Sequence, residues 1–227
     1  MTSLEFAVTD IAPEPYAVTP NLVAHLRIRE TSGARVHSVA LRCQVRLEPG
    51  RRRYDADAEQ ALGDLFGTRD RWDSTLTSFG WLQAATMVPG FTGECDAALP
   101  LPCTYDFEVA AARYLHALGD GAVPLLLLFS GTVFTRGPSG LVVEPVPWDR
   151  EARCELPLEV WRELIRTHYP GTGFARLGHD TLTALTRYKV AHGHTDLDAA
   201  VAALLAREDR DATVPADAAP RPGEAVS

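Results

Sequence analysis

Apolar and polar positions alternate at period two along several stretches of this chain. From Asn21 to Glu30, Leu22, Ala24, Leu26 and Ile28 fall on one side and Val23, His25, Arg27 and Arg29 on the other. Val39, Leu41, Cys43, Val45 and Leu47 then oppose Ser38, Ala40, Arg42, Gln44 and Arg46. This is the signature of strands with one face buried and an arginine-bearing face in water. The link Thr31-Ser32-Gly33-Ala34 has turn chemistry, so the two stretches are expected to pair as a hairpin. Leu4 to Ile11 is an opening strand stopped by Pro13 and Pro15. The strongest hairpin signal lies further on. Tyr105, Phe107, Val109 and Ala111 alternate with Asp106, Glu108 and Ala110, Val123 to Val133 is almost wholly apolar, and Gly119-Asp120-Gly121 joins the two arms. A direct pairing of Tyr105–Leu118 with Val123–Thr135 is therefore expected, although the alanines and leucines of the first arm also suit a helix. Phe79–Val88 and Thr92–Leu101 read as strands separated by Pro89-Gly90, with Pro100 and Pro102 confining the second to a sheet edge. Leu141–Val146 and Glu151–Leu156 flank Pro147-Trp148-Asp149.

Two regions have the helical period instead. Between Asp55 and Gly67 the apolar positions Ala58, Ala61, Leu62, Leu65 and Phe66 form a stripe, with Asp55 as cap and Gly67 as stop. After Leu156 the chain reads as helical. Pro157 opens a helix to about His168 with Leu158, Trp161, Leu164 and Ile165 facing inward. Asp180 is placed to cap a helix carrying Leu182, Leu185 and Tyr188, and Thr195 with Asp198 approximates a capping box for a last helix. From Arg207 the sequence is charged and then Pro/Ala-rich, with little to bury. The expected fold is mainly β (α+β): an antiparallel β-sandwich or curved sheet over residues 1–156, with one inserted helix near 55–67. A C-terminal helical segment over 157–206 packs on it, and 207–227 forms a disordered tail.

A formal charge of −8 over 227 residues argues against a nucleic-acid binder, which needs a basic surface to neutralise phosphates. The one basic run, Arg51-Arg52-Arg53, is followed by Asp55, Asp57 and Glu59 and reads as a solvated turn. No segment is long and apolar enough to cross a bilayer, and the N-terminus lacks a basic head before an apolar run, so a cytoplasmic protein is expected. The four cysteines, Cys43, Cys95, Cys103 and Cys154, lack metal-ligand spacing and read as structural free thiols.

Few residues suggest chemistry. Asp106 and Glu108 share one face of the expected strand and, with His116 or Ser130, allow a hydrolase-type site. The Gly-x-Ser-x-Gly elbow is missing, however, and Ser130-Gly131 reads better as a tight spot in a buried strand. His192-Gly193-His194 with Asp196 and Asp198 is the densest set of metal-ligand types. It sits on a glycine-containing link between helices, so capping accounts for it and no metal is expected. Nucleotide-binding loops are absent, and no cofactor is implied. Among the four tryptophans, Trp148 with Pro147 occupies a loop and is the candidate partner-binding pair; the others read as packing.

The segments Tyr105-Asp106-Phe107-Glu108-Val109 and Leu128-Phe129-Ser130-Gly131-Thr132-Val133-Phe134 resemble a bacterial domain-of-unknown-function family found chiefly in actinobacteria. Ala40-Leu41-Arg42-Cys43-Gln44-Val45, Met87-Val88-Pro89-Gly90-Phe91-Thr92-Gly93, Val146-Pro147-Trp148 and Val160-Trp161-Arg162-Glu163-Leu164 extend the resemblance over about residues 4–206. The resemblance implies genes encoded beside those of nickel–iron hydrogenases. The resemblance thus implies a non-enzymatic accessory or assembly protein that contacts a hydrogenase subunit or maturation factor; it transfers no catalytic residue. The alternatives are a small-ligand-binding sandwich and a hydrolase-type enzyme around Asp106, Glu108 and His116.

Overall fold

The computed structural model describes residues 2–103, 109–137 and 140–212, with side chains as far as residue 210. The chain forms two compact units, Met1–Ala175 and Arg176–Ser227. In the first unit, β1 (Leu4–Pro13), β2 (Asn21–Glu30) and β5 (Glu94–Pro102) make a three-stranded sheet in the order β1-β2-β5. β3 (Arg35–Leu47), β4 (Phe79–Thr92), β6 (Ala122–Gly137), β7 (Gly140–Pro145) and β8 (Glu151–Pro157) make a second sheet in the order β4-β3-β6, with β7 and β8 both on the far edge of β6. Every pairing is antiparallel. The fold is mainly β, as its alternating pattern requires.

The inward positions are those the alternation picks out. Leu22, Ala24, Leu26 and Ile28 on one sheet and Val39, Leu41, Cys43, Val45 and Leu47 on the other are buried in one core. Phe6 of β1 stacks on Phe129 of β6 with ring centroids 4.3 Å apart, joining the sheets across that core. Each fully buried leucine, isoleucine or valine among them contributes about 1.5–3 kcal/mol relative to exposure. β1 also runs beside β8 and β4 beside β5, so the sheets close toward each other along both edges.

The link between β2 and β3 corrects the hairpin expectation. The two strands do not pair; Thr31–Ala34 carries the chain from one sheet to the other, and each strand finds its partners in its own sheet. Alternation cannot tell these arrangements apart, because both put the same residues in the core. Glu30 holds the crossing. Its Oε1 accepts from the backbone N–H of Ser3 (3.1 Å) and Ser32 (3.0 Å) and from the Ser32 hydroxyl, and its Oε2 accepts from Ala34 N–H (2.9 Å). Burial raises its carboxyl pKa, but these bonds outweigh burial and hold it below the ordinary glutamate value.

The second expected hairpin also fails. Ala110–Ala117 is a helix, α4, with Ala111, Ala112, Tyr114 and Leu115 buried, and Gly119-Asp120-Gly121 joins this helix to β6. Helix propensity and the 3.6-residue stripe win over the apparent alternation at its start. The earlier part of that arm, including Asp106 and Glu108, lies outside the described residues. β6 pairs instead with β3, β7 and β8. Between β4 and β5 the turn comes at Gly93 (φ 74°), not at Pro89-Gly90. Pro89 lies within β4 and is tolerated there because β4 is an edge strand.

The insertion after β3 is a string of short helices rather than one. A 3-10 turn (Pro49–Arg51) precedes α1 (Ala56–Ala61) and α2 (Gly63–Phe66); a second (Arg69–Arg71) leads into α3 (Trp72–Thr75). Asp55 caps α1 through Ala58 N–H (2.8 Å), and Gly67 (φ 76°) ends α2 as the sequence predicts. Tyr54, Phe66, Trp72, Phe79 and Tyr114 gather in one aromatic cluster, edge to face except for the tilted Phe66–Phe79 pair. α5 (Leu158–His168) buries Leu158, Trp161, Leu164 and Ile165 and packs on β1 and β8, so it belongs to the first unit.

In the second unit α6 (His179–Ala191) packs with α7 (Leu197–Ala212). Here the caps differ from expectation. Gly178, not Asp180, precedes α6, and Asp196, not Thr195, caps α7 by accepting from Ala199 N–H at 2.8 Å. α7 runs on past Arg207 to Ala212, because Ala206-Arg207-Glu208 are good helix formers despite their polarity.

Candidate functional site

One region of the first unit departs from the rule that an outer sheet face is polar. Cross-strand register puts Met87 (β4), Ala40 (β3), Thr132 (β6) and Pro145 (β7) in one outward row. Pro89, Ser38, Phe134 and Val143 occupy the next row, and Leu141 follows beside Arg136. The first two rows contain no charged side chain. Met87 is 65% exposed, Val143 59% and Leu141 56%. This is a four-strand apolar surface facing solvent.

Its border is made by an interruption of the sheet edge. β7 and β8 occupy the same side of β6, and residues 146–150 leave the sheet between them. Val146 N–H donates to Gly131 O (3.0 Å) and Arg150 O accepts from Phe129 N–H (2.8 Å), pinning both ends of the excursion. Val146 is buried, Pro147 is half-buried, and Trp148 at the apex is 93% exposed. The other tryptophans are packed: Trp72 and Trp161 are buried and Trp81 lies partly in the core. Opposite the pin, Gly131 (φ 139°) lies so close to β3 that a Cβ there would come within 2.1 Å of Ala40 O, which accounts for the glycine after Ser130.

The remaining sequence candidates do not converge. His116 is exposed on α4 and lines a depression with Trp161, Arg162 and Tyr169, whereas Ser130 is exposed on the outer sheet face beside Arg42 and Gln83. They line separate depressions. His192 and His194 stack with Tyr188, at 4.1 and 5.7 Å between centroids, and His192 Nδ1 lies 3.0 Å from Tyr188 O. Among the described residues no group of three or more His, Cys, Asp or Glu side chains is arranged to hold a metal ion.

All four cysteines are free. Burial pushes the Cys43, Cys103 and Cys154 thiols up to about 12, and Cys95 is raised by burial and then by neighbouring Asp96 and Glu94. None has the depressed pKa of a nucleophilic thiol. Tyr54 donates to Pro49 O (2.8 Å), so the Tyr114 hydroxyl 2.8 Å away must donate to Tyr54; burial raises the pKa of both. The Arg51-Arg52-Arg53 expectation is corrected at Arg52. Its side chain is only 12% exposed, and Nη1 and Nη2 donate to Ala122 O (2.7 Å) and Asp120 O. Its two carbonyl acceptors lie about seventy residues away in sequence, where no local pattern reveals them.

A sequence signal for the apolar face did exist. Met87 and Phe134 stand on the outward side of their strands, and Leu141-Val142-Val143 breaks alternation altogether.

A family model matches residues 1–213. The chain belongs to a family of unknown function, DUF6084. No curated protein matches the chain. Among solved structures it is similar to the CARDB domain of a Pyrococcus furiosus protein in complex with di-metal ions, with 9% identity, 69% of this chain and 92% of that chain covered, and a TM-score of 0.28. It is also similar to a protein described as late embryogenesis abundant (15% identity, 68% and 72% covered, TM-score 0.29). A third similarity is to a β-glucosidase from Kluyveromyces marxianus (10% identity, 68% and 15% covered, TM-score 0.23). Likenesses this weak carry no argument about function. Among the described residues no helix is long and apolar enough to cross a membrane.

Proposed function

We propose that this DUF6084 chain acts without catalysis, as an accessory or assembly protein that offers the outer β4-β3-β6-β7 face and the adjacent Trp148 turn to another protein. The observation that carries this reading is the apolar face itself. Met87, Val143 and Leu141 are each more than half exposed, in successive rows of one sheet face, and exposed apolar patches mark interaction sites. Trp148 adds a ring that a short turn presents at low entropic cost. The family resemblance in actinobacteria, beside nickel–iron hydrogenase genes, makes a hydrogenase subunit or maturation factor the first partner to test. The four free thiols suit the reducing cytoplasm that this reading assumes.

The test is affinity purification from the native host with wild type, Trp148→Ala and a Met87→Glu/Val143→Glu double variant. A tryptophan anchor is worth about 2 kcal/mol or more, a loss of roughly thirtyfold in affinity on truncation. Both variants should keep the wild-type melting temperature and lose one shared partner. Unchanged recovery of every partner by the double variant overturns the proposal.

A further inference from the structure

A cleft of about 650 Å³ opens between the segment after β3 and the turn leading into α3, lined by residues of the insertion that joins β3 to β4. Arg52, Arg53 and Arg69 all line it, together with Tyr54, Trp72 and Asp73. In a chain of net charge −8 such a gathering of cations is unusual. We infer that this cleft binds a small phosphate-bearing compound.

The arginines differ in how they are held, and the differences favour an anion. Arg52 is fixed by two neutral carbonyls, and its carboxylate contact, Asp120 Oδ1, is 3.9 Å away on a side chain that is 94% exposed. Its charge is therefore localised by the fold and little neutralised, and its buried Nε has no acceptor among the described residues. Charge held this way beside a low-dielectric wall raises the local potential. Arg69 lies over the Trp72 ring, 5.0 Å from its centroid, with Nε 2.9 Å from Glu59, so it is oriented but compensated. Arg53 is exposed and makes no ion pair among the described residues. A fixed cation, an oriented one and an uncommitted one thus share a single concavity.

Phosphate suits that donor set better than carboxylate. A phosphate monoester carries roughly −1.5 to −2 charges near neutral pH with three acceptor oxygens, whereas a carboxylate offers one charge and two oxygens to three guanidinium groups. The cleft falls within the usual range of small-molecule sites, roughly 300–1,000 Å³, and leaves room for the body of a phosphorylated compound. Asp73 on the same rim repels an anion and sets the sign of a second test.

The experiment is an NMR titration of the full chain that follows the backbone amides of residues 53, 54 and 73 and the Trp72 indole N–H, which donates to Gly67 O at 3.0 Å. The probes are ribose 5-phosphate, inorganic phosphate, ribose, and sodium chloride at matched ionic strength. Ribose 5-phosphate should give saturable shifts, inorganic phosphate weaker ones, and ribose and chloride none. Arg53→Gln, an exposed change that leaves folding intact by circular dichroism, should weaken binding about tenfold; Asp73→Asn should tighten it. No saturable shift up to roughly 10 mM ribose 5-phosphate, equal shifts with chloride, or an unchanged dissociation constant in Arg53→Gln would each overturn the assignment.

Discussion

Glu30 offers the sharpest test of how the two sheets are joined. Among the described residues it is the one charged residue that is buried, and its carboxylate accepts three backbone N–H bonds and one hydroxyl at the β2–β3 crossing. Hydrogen bonds to a charged group contribute about 1.5–3 kcal/mol net when fully buried. Here Ser32 is exposed and water can replace part of what is lost, so Glu30→Ala should cost about 3 kcal/mol and Glu30→Gln, which keeps one acceptor oxygen, about 1–2 kcal/mol. For a unit of this size the alanine variant should melt roughly 6–10 °C below wild type. The pH dependence has a definite sign. The folded carboxyl is held below its ordinary value of about 4.3, so its stabilisation is fully present above that pH and is lost as pH falls through the lower folded value. Urea denaturation at pH 7, 5, 4 and 3 should show a gap between wild type and Glu30→Gln that narrows at the acid end. Equal midpoints at pH 7, or a gap undiminished at pH 3, would refute the argument that this carboxylate pins the crossing.

Two further outcomes follow from the geometry. Gly131→Ala should destabilise the chain by about 2–4 kcal/mol, because the new Cβ meets Ala40 O at 2.1 Å and φ is 139°; a thermal melt within 1–2 °C of wild type would contradict this. Thiol titration of the native protein at pH 8 should leave Cys43, Cys103 and Cys154 unreacted, since burial holds each up to about 12, and all four cysteines should react in denaturant; fast labelling of Cys43 without denaturant would show a looser core than the structure has.

What the sequence revealed was set by the range of each signal. Period-two alternation identified β2 and β3 and their inward residues, because burial acts on each strand separately. It did not identify their partners, because a tight hairpin and a sheet-to-sheet crossing bury the same side chains. The arm before Gly119 was ambiguous for a related reason: Ala110 to Leu118 satisfies a helical stripe through Ala111, Tyr114, Leu115 and Leu118 as readily as an alternating one, and contact with the Tyr54–Trp72–Phe79 cluster decides for the helix. Trp148 was legible as an exposed loop residue because Pro147 and Asp149 bound it locally. The face beside it was not legible, since Met87 and Val143 come to share one face only through the register of four strands. The same limit hid the role of Arg52, whose acceptors lie beyond α4.

The treatment of sheet edges explains why the apolar face reads as a functional surface. An unpaired edge invites association with another chain, and folds suppress this with prolines, charges, bulges or covering segments. β5 carries Pro100 and Pro102, β4 carries Pro89, and β8 runs beside β1. β7 lies beyond the Val146–Arg150 excursion, where Leu141-Val142-Val143 has neither proline nor charge; the first charge is Glu144, which Thr2 engages through its backbone N–H (2.7 Å) and its hydroxyl. The bonds from Thr2, the backbone N–H foremost, hold the Glu144 carboxyl below its ordinary value, so the strand's one acidic group is occupied within the fold. The stretch Leu141-Val142-Val143 lacks both devices, although β7 ends in Pro145, and it borders Phe134 and the Trp148 turn; Met87 stands at the other end of the same face, on the guarded strand β4. If the face serves a partner as proposed, Met87→Glu/Val143→Glu, which places one charge at each end of it, should separate folding from binding.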